Sequence, residues 1–256
     1  KTKKVLKNRY FLKLSFLGKH YHGWQIQPNA ITVQEVLNTS VSKILQEEVY
    51  LVGAGRTDTG VHASYFVAHF DAESVFPIKE KTNFIFRLNS LLPWDIAVID
   101  VSKVEANHHA RYDAMSRTYK YFVTTVKDPF WYDFAHFVHS QVNTDQMNAA
   151  AEILFEYDDF ECFTKSQSGV KTHTCNITYA SWAQEGYRLV FTITANRFLR
   201  NMVRAIVGTL LDVGFGKTSP QQMHKIIKSK NRSMAGKSAL AKGLFLTDIT
   251  YPYQVF

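Results

Sequence analysis

Six stretches in the first hundred residues have apolar side chains spaced as in a strand or a helix. Apolar residues at every second position of 10–17 predict a strand. Apolar residues three or four apart predict a helix over 32–45, with Thr32 as its N-cap and Glu35 three residues later. The same criteria predict strands at 49–54, 61–71 and 96–104 and a helix at 79–91, which ends before Pro93.

A second set of elements follows in the same order from residue 118 onward. Alternation predicts a strand at 118–125, and helical spacing predicts a helix at 144–155 with Thr144 as its candidate cap. The remaining elements are strands at 177–182 and 189–195 that pair across a turn at 184–186, a helix at 198–213 stopped by Gly214 and Gly216, a short helix beginning at Ser219–Pro220, and a closing strand at 245–251.

The repeated order strand-helix-strand-strand-helix-strand indicates the class of fold. We expect an α+β protein of tandem ferredoxin-like halves, with antiparallel sheets joined around a central active-site cleft. The first half spans residues 1–105 and the second spans residues 106–256. A sheet with helices on one face leaves its other face open, as in many RNA-binding domains.

The charge balance favours a polyanionic partner. Thirty Lys and Arg residues against 22 Asp and Glu residues give a net charge of +8, and cations that contact phosphates release bound counterions. A solvated basic surface explains this charge equally well. The basic residues are spread along the chain, with local clusters at Lys1–Lys4 and Lys225–Arg232, so a histone-like tail is not expected.

Cysteine content and hydropathy bear on the compartment. The two cysteines, Cys162 and Cys175, are fewer than disulfide scaffolds use and fit no zinc-ligand spacing. No apolar run reaches the roughly 18–20 residues that a membrane span needs. We therefore expect a cytoplasmic protein without a membrane partner.

The segment 53–63, with the sequence GAGRTDTGVHA, carries the strongest signal of chemistry. Its three glycines permit tight turns, and Asp58 is its only carboxylate. Taken alone, an aspartate in such a loop is better explained by an Asx turn, in which its side chain accepts backbone amides. The sequence has no G-x-G-x-x-G opening a helix, no Walker lysine and no metal-ligand cluster, so these nucleotide and metal sites are not indicated.

Several segments, in order along nearly the whole chain, resemble the motifs of the TruA family of tRNA pseudouridine synthases. The segment 53–63 resembles the catalytic motif, with Thr59 where the family usually has Ala. Two further departures are His108, where Phe is usual, and Leu240, where Pro is usual. The other matching segments are YHGWQIQP at 21–28 with TVQ at 32–34, AR at 110–111 with RTYKY at 117–121, FLRNMVRAIVG at 198–208 and ALAKGLFL at 239–246.

The resemblance implies a catalytic role for three residues. Asp58 is the expected nucleophile for converting uridine to pseudouridine, and its attack on C6, its attack on C1′ and a glycal route all stay open. Arg204 is the expected cationic partner that keeps this carboxylate ionised. Tyr119 is expected to stack on the uracil or to move a proton, and Leu244 to line the base. The isomerisation is redox-neutral, so no cofactor or metal is expected.

The resemblance also implies a partner and an assembly. Family members act on tRNA uridines 38 to 40 of the anticodon stem-loop and work as homodimers, so we expect tRNA binding, a flipped uridine and a homodimer. The candidate RNA contacts are basic residues within or beside the motifs: Arg56, Arg111, Arg117 and Lys120, followed by Arg197 and Arg200.

Three other functions compete with this interpretation. A non-catalytic RNA-binding protein on the same scaffold explains the charge and the aromatic residues but not the carboxylate framed by glycines. A nucleoside hydrolase that uses Asp58 needs a second acid or base, or a metal-held water, and none is apparent. A pseudouridine synthase with another RNA target is compatible with every motif.

Overall fold

The computed structural model describes residues 7–73, 80–165 and 171–256. The basic cluster Lys1–Lys4 and Lys79, the first residue of the second predicted helix, lie outside these ranges. The protein is a mixed α/β structure with a mostly antiparallel sheet. The chain divides into two compact units, one formed by Lys1–Met115 with Thr247–Phe256 and the other by Ser116–Leu246.

The first unit is built on an antiparallel sheet with β1 at its centre. β1 pairs on one side with β3 and on the other with β4, and the short β2 pairs with the far edge of β3. The elements are β1 at Asn8–Phe16, α1 at Val33–Leu45, β2 at Val52–Gly53, β3 at His62–Ala72, α2 at Lys81–Leu91 and β4 at Ile96–Val104.

Helix α1 begins where the sequence predicts, because its cap is a local signal. Thr32 has extended backbone angles, and its side-chain oxygen accepts a hydrogen bond from the N–H of Glu35 at 3.4 Å. This contact satisfies one of the amides that a helix start leaves without a partner. Three residues on the apolar face of α1, Val33, Leu37 and Val41, are fully buried.

The second unit is also built on an antiparallel sheet, in which β8 lies between β5 and β7. A two-residue strand, β6, pairs in parallel with the end of β5. The elements are β5 at Ser116–Thr124, β6 at His136–Phe137, α3 at Thr144–Glu152, β7 at Ile177–Glu185, β8 at Arg188–Ala195, α4 at Met202–Gly214, α5 at Gln222–Ser229 and β9 at Leu244–Thr250, which begins in this unit and ends in the first.

Several predicted boundaries differ from the structure for identifiable reasons. The cap of α3 is Asn143, whose side chain accepts the N–H of Gln146 at 3.0 Å, and not Thr144. Helix α4 begins at Met202 and not at 198, because Asn201 adopts the left-handed conformation with φ of 66°. The predicted strand 49–54 pairs only over Val52–Gly53, and no pattern in the sequence predicted β6.

The compact units and the domains predicted from the sequence divide the chain differently. Residues 106–115 and 247–256 belong to the first unit, and the domain boundary at residue 105 stays a prediction. Within the described ranges, none of the helices is both long and apolar enough to cross a membrane.

Candidate active site

Asp58 lies in a tight loop between β2 and β3. The N–H of Val61 donates to the carbonyl of Asp58 at 3.1 Å, and Gly60 turns the chain with φ of 78°. The side chain of Asp58 is half-buried, whereas the neighbouring Arg56 is exposed. The loop therefore fixes the backbone of the carboxylate and leaves the preceding cation at the surface.

The segment 18–24 holds this loop by close backbone contacts. The N–H of Trp24 donates to the carbonyl of Thr57 at 3.4 Å, and the N–H of Gly60 donates to the carbonyl of Tyr21 at 3.3 Å. Gly23 has φ of 85°, and a Cβ atom there would lie 2.3 Å from the carbonyl oxygen of Thr57. Only a glycine allows the two segments to approach this closely.

The packing behind the loop is equally tight. The indole of Trp24 is 1% exposed and stacks on Phe66, with ring centroids 4.3 Å apart. A Cβ atom on Gly53 would lie 2.5 Å from that indole. The Gln34 side chain donates to the carbonyl of Leu51 at 2.7 Å and so ties the start of α1 to the chain entering the loop. The residues of the 21–34 segment thus act as the frame of the Asp58 loop.

Replacement of Gly23 by Ala is expected to lower kcat by about 10- to 100-fold, because displacing a catalytic group by about 1 Å has effects of that size. The added methyl group collides with the Thr57 carbonyl, which is bonded directly to the backbone of Asp58. We expect KM to change little. Steady-state kinetics of the reaction that the family resemblance implies measure both constants.

Gly186→Ala is the matched control for this substitution. Gly186 also has a positive φ, 63°, but a Cβ atom there has nothing within 4 Å. Alanine at position 186 therefore introduces comparable backbone strain, on the order of 1 kcal/mol, without a collision. An equal loss of kcat in both variants would show that general destabilisation, and not displacement of the loop, causes the effect.

The second unit carries the other predicted catalytic residues. Tyr119 lies on β5, half-buried, with its ring edge-to-face on Phe198 at 5.2 Å and 88°. Arg204 lies on α4, off the buried stripe formed by Met202 and Ile206. Its Nε donates to the carbonyl of Ala239 at 2.8 Å, and its own carbonyl accepts the N–H of Ala239 at 2.9 Å.

The closing segment of the second unit packs on Tyr121. The Tyr121 hydroxyl donates to the carbonyl of Leu240 at 2.8 Å. Burial raises the pKa of Tyr121 far above its ordinary value, although the charge of Arg204 opposes the shift. A Cβ atom on Gly243 would lie 2.9 Å from the Tyr121 ring, so this glycine lets the chain pass close to the ring before the buried Leu244.

The departure at Leu240 preserves the local backbone. Leu240 has φ of −60° and ψ of 137°, and a proline ring would restrict φ to about −65°. The side chain is 49% exposed. The backbone conformation that the usual proline imposes is therefore present without it.

The candidate RNA contacts in the second unit lie at or near its surface. Arg117 donates from Nη1 to the carbonyl of Asn196 at 2.8 Å, and Lys120 pairs with Glu185 at 3.3 Å. Arg200 is exposed and Arg197 half-buried. An exposed ion pair such as that of Lys120 contributes at most about 1 kcal/mol, so it leaves the ammonium able to exchange Glu185 for a phosphate.

A side-chain network that the sequence did not indicate surrounds Ala110 in the first unit. The buried His69 accepts the N–H of Ala110 on Nδ1 at 3.2 Å, and Tyr251 donates its hydroxyl to the Ala110 carbonyl at 2.6 Å. Arg9 forms two 2.7 Å contacts with Asp71 and donates to the carbonyl of His108. These partners are distant in sequence, so no local pattern predicts them.

His69 makes the stability of the protein dependent on pH. Burial, reinforced by the charge of Arg9 and by His109, lowers the pKa of His69 from 6.5 to about 4, although Asp71 and Asp113 oppose the shift. Because the folded state binds this proton less readily than the unfolded state, stability is full above pH 6.5 and falls as the pH decreases toward 4. We expect a loss of roughly 2–3 kcal/mol across this window, measured by urea unfolding.

Two glutamine variants test the assignment of this pH dependence. His69→Gln retains an acceptor for the Ala110 amide but does not titrate, so its stability should change less between pH 6.5 and 4. His20→Gln removes an exposed histidine of the same unit and should retain the wild-type pH dependence. A wild-type pH profile in His69→Gln would assign the effect to other groups.

One group in the described part of the chain has the spacing of a metal site. Ligand atoms of Asp159, Glu161 and His173 lie within 4.8 Å of one another. Lys230 already pairs with Asp159 at 2.6 Å, and His173 lies 3.7 Å from Glu161. The group is thus an ion-pair cluster of the second unit.

A single carboxylate in a loop braced by close backbone contacts is typical of an enzyme that positions one acidic group. The family model for tRNA pseudouridine synthase matches residues 14–113 and 150–252 of the chain. These ranges contain Asp58, Arg111, Arg204 and Leu244, and the gap between them contains Tyr119. The chain belongs to the tRNA pseudouridine synthase family.

Individual relatives match over almost their whole length. A tRNA pseudouridine synthase A from Bacteroides fragilis is 51% identical over 253 residues, covering 97% of this chain and 98% of the relative. Proteins of the same name from Thermoanaerobacter sp. and Francisella tularensis are 42% and 35% identical, over 91% and 95% of this chain and 96% and 94% of their own lengths. A solved aminoacylhistidine dipeptidase from Vibrio alginolyticus, with 9% identity and a TM-score of 0.22 over 92% of this chain and 41% of its own, supports no conclusion.

Proposed function

We propose that this protein is a tRNA pseudouridine synthase that isomerises uridine in tRNA with Asp58 as its nucleophile. The observation that carries the proposal is the loop of Asp58, whose backbone is fixed by Gly23, Trp24 and Tyr21. Catalysis by an attacking carboxylate requires such positioning, because the rate depends on holding the group close to its target. Membership of the family supports the same assignment.

The proposed roles of the other residues are those that the family resemblance implies, and they suit the chemistry of the reaction. The glycosidic bond between C1′ and N1 breaks, the uracil turns, C5 bonds to C1′ with loss of the C5 proton, and N1 gains a proton. A planar ring such as Tyr119 supports stacking on the turning base, and its hydroxyl is suited to accepting or relaying that proton. Arg204 supplies a positive charge that favours the ionised carboxylate, and Leu244 supplies an apolar wall.

We further propose tandem ferredoxin-like domains, residues 1–105 and 106–256. In the first, the chain order is β1, α1, β2, β3, α2, β4, and β1 pairs with both β3 and β4. In the second, β5 precedes α3, β7, β8 and α4, and β8 pairs with both β5 and β7. These orders and antiparallel pairings support the proposal.

The family resemblance also supports a proposal for the tRNA positions, the oligomeric state and the cellular location. We propose uridines 38 to 40 of the anticodon stem-loop, a homodimer and a cytoplasmic location, as the family resemblance implies. The net charge of +8 supports a nucleic-acid partner. Arg56, Arg111, Arg117 and Lys120 are the proposed phosphate contacts, and Arg197 and Arg200 add to them.

The decisive experiment maps pseudouridine in unmodified tRNA incubated with the purified protein. We expect pseudouridine to form at positions 38 to 40 without an added cofactor. Pseudouridine at other positions would show that the protein modifies a different part of the tRNA. Release of free uracil would indicate a hydrolase, and tight binding without any product would indicate a non-catalytic RNA-binding protein.

Affinity for tRNA is expected to fall steeply with salt. Each phosphate contact contributes about −0.7 to −0.9 to the slope of log affinity against log salt concentration. Lys120→Ala should make this slope less steep by the contribution of about one phosphate contact. It should also weaken the binding of all substrate tRNAs to the same extent, because phosphate contacts carry no sequence information. Titration of several tRNAs at four or more salt concentrations measures both effects.

Lys217→Ala is the control for the loss of a surface lysine. Lys217 also pairs with a carboxylate of the second unit, Asp212, at 3.2 Å, but it lies outside the family motifs. We expect its slope to equal that of the wild type. Equal slopes for the wild type and both variants would show that Lys120 does not contact the RNA.

A further inference from the structure

The turn that follows His109 is held by side chains at both of its ends. Nδ1 of His109 accepts the N–H groups of Arg111 and Tyr112 at 3.1 and 3.2 Å. The carboxylate of Asp113 accepts the N–H of His109 at 2.7 Å, and the N–H of Asp113 donates to the carbonyl of His109 at 3.1 Å. His109 and Asp113 therefore cap the turn reciprocally, as the two residues of a helix capping box do.

Further contacts fix the capping residues themselves. The Tyr253 hydroxyl donates to Asp113 at 2.6 Å, and the Tyr253 ring stacks on His108 with centroids 3.8 Å apart. The His109 ring packs edge-on against the buried His69 at 4.5 Å. With the Ala110 contacts described above, four consecutive amides, those of residues 109–112, and the carbonyl of Ala110 form hydrogen bonds to side chains. The turn is thus more rigid than an ordinary surface connection.

The rigid turn presents an aromatic ring to solvent. Tyr112 is 76% exposed, and its ring packs on that of His109 at 4.2 Å and 32°. The guanidinium of Arg111 lies 5.8 Å from the Tyr112 ring centroid. A ring that is supported by His109 but still largely exposed offers area for stacking, and its neighbouring cation favours an anionic ligand.

We propose that Tyr112 is a stacking platform for an unpaired nucleobase of the substrate RNA, with Arg111 binding the adjacent phosphate. This inference rests on the proposed function for the identity of the RNA. Single-stranded nucleic acids bind to exposed aromatic rings beside basic groups, and stacking contributes about 1–3 kcal/mol per base. A pre-positioned ring avoids the entropy cost of ordering a flexible side chain on binding.

The chemistry around the ring favours a nucleobase over an apolar protein surface. Arg111 flanks Tyr112 in sequence and is exposed, and a charged guanidinium at the centre of an apolar contact is unfavourable. The chain as a whole carries a net charge of +8. A base with its phosphate satisfies both the ring and the cation.

The test compares the affinity of three variants for substrate tRNA, measured by filter binding at fixed salt. Tyr112→Ala is expected to weaken binding by about 5- to 150-fold, whereas Tyr112→Phe and Tyr112→Trp should stay within about two-fold of the wild type, because both retain a flat ring. The slope of log affinity against log salt concentration should be the same for Tyr112→Ala as for the wild type. For Arg111→Ala the slope should be less steep by the contribution of about one phosphate contact.

Tyr50→Ala is the matched control, because Tyr50 is 64% exposed in the same unit and interacts with a carboxylate, Glu48. Its affinity should equal that of the wild type. Wild-type affinity in Tyr112→Ala, or equal losses in Tyr112→Phe and Tyr112→Ala, would overturn the proposal. So would a lower sedimentation mass in Tyr112→Ala with unchanged affinity, which would assign the ring to a protein contact.

A second measurement identifies the stacked base. Substrates that lack one base of the anticodon loop at a time are titrated against the wild type and Tyr112→Ala. Loss of the base at one position should weaken binding to the wild type but not to the variant, since the variant has already lost the contact with that base. Equal effects at every position would overturn the proposal. The assay reads binding alone, so absence of pseudouridine formation would refute the proposed function without deciding this inference.

Discussion

Asp58→Asn is expected to reduce pseudouridine formation by at least about 1,000-fold, since loss of a nucleophile removes the covalent route entirely. The amide is close to the carboxylate in shape but carries no negative charge with which to attack. The backbone contacts of the loop, from Trp24 to Thr57 and from Val61 to Asp58, do not involve the side chain. We therefore expect the fold and the affinity for tRNA to be retained, as measured by urea unfolding and filter binding.

Asp95→Asn is the control for the loss of one acidic group near the loop. Asp95 accepts the Tyr21 hydroxyl at 2.6 Å, and an asparagine oxygen can accept the same bond. Its activity should stay near that of the wild type. Substantial product formation by pure Asp58→Asn would refute the role of Asp58, and inactivity of both variants would point to a change in local structure.

Sequence patterns predicted the elements whose signals are local. The strand at 96–104 is confirmed residue for residue, and α1 begins immediately after the predicted cap Thr32. A hydrophobic period and a side-chain cap both lie within a few residues, so they can be read from a short segment. The start of α4 was wrong because the left-handed Asn201 donates its side-chain amide to Ser238 at 2.7 Å, a contact distant in sequence.

The candidate site also combines features that the local sequence predicted with features that it did not. The glycine-framed loop of Asp58 was evident from the sequence, because turns, carboxylate and cation are adjacent there. The close approach of Gly23 to Thr57 was not, because it depends on the packing of two separate segments. The braced turn at His109 depends on His69 and Tyr253, which are both distant from it in sequence. The candidate loop could therefore be located from local sequence, whereas the residues that hold it in place could not.

We expect Tyr119→Ala to lower kcat by about 100- to 1,000-fold, because it removes both the ring proposed to stack on the base and the hydroxyl proposed to move a proton. Tyr119→Phe retains the ring and its edge-to-face contact with Phe198. If stacking is the main role, Tyr119→Phe should retain at least about a tenth of the wild-type rate, since general acid–base catalysis alone contributes about 100-fold or more. Single-turnover rates at saturating tRNA separate these cases from effects on binding.

Tyr179→Ala controls for the loss of a strand tyrosine from the same sheet. Tyr179 lies on β7 and is 50% exposed, so we expect its rate to equal that of the wild type. Equal and complete loss in Tyr119→Phe and Tyr119→Ala would place the hydroxyl in the proton transfer. Wild-type rates in both would show that Tyr119, like Tyr121 and Val123 on the same face of β5, packs in the sheet and does not touch the substrate. The pair of variants therefore distinguishes a stacking ring, a proton-transfer group and a structural tyrosine by rate alone.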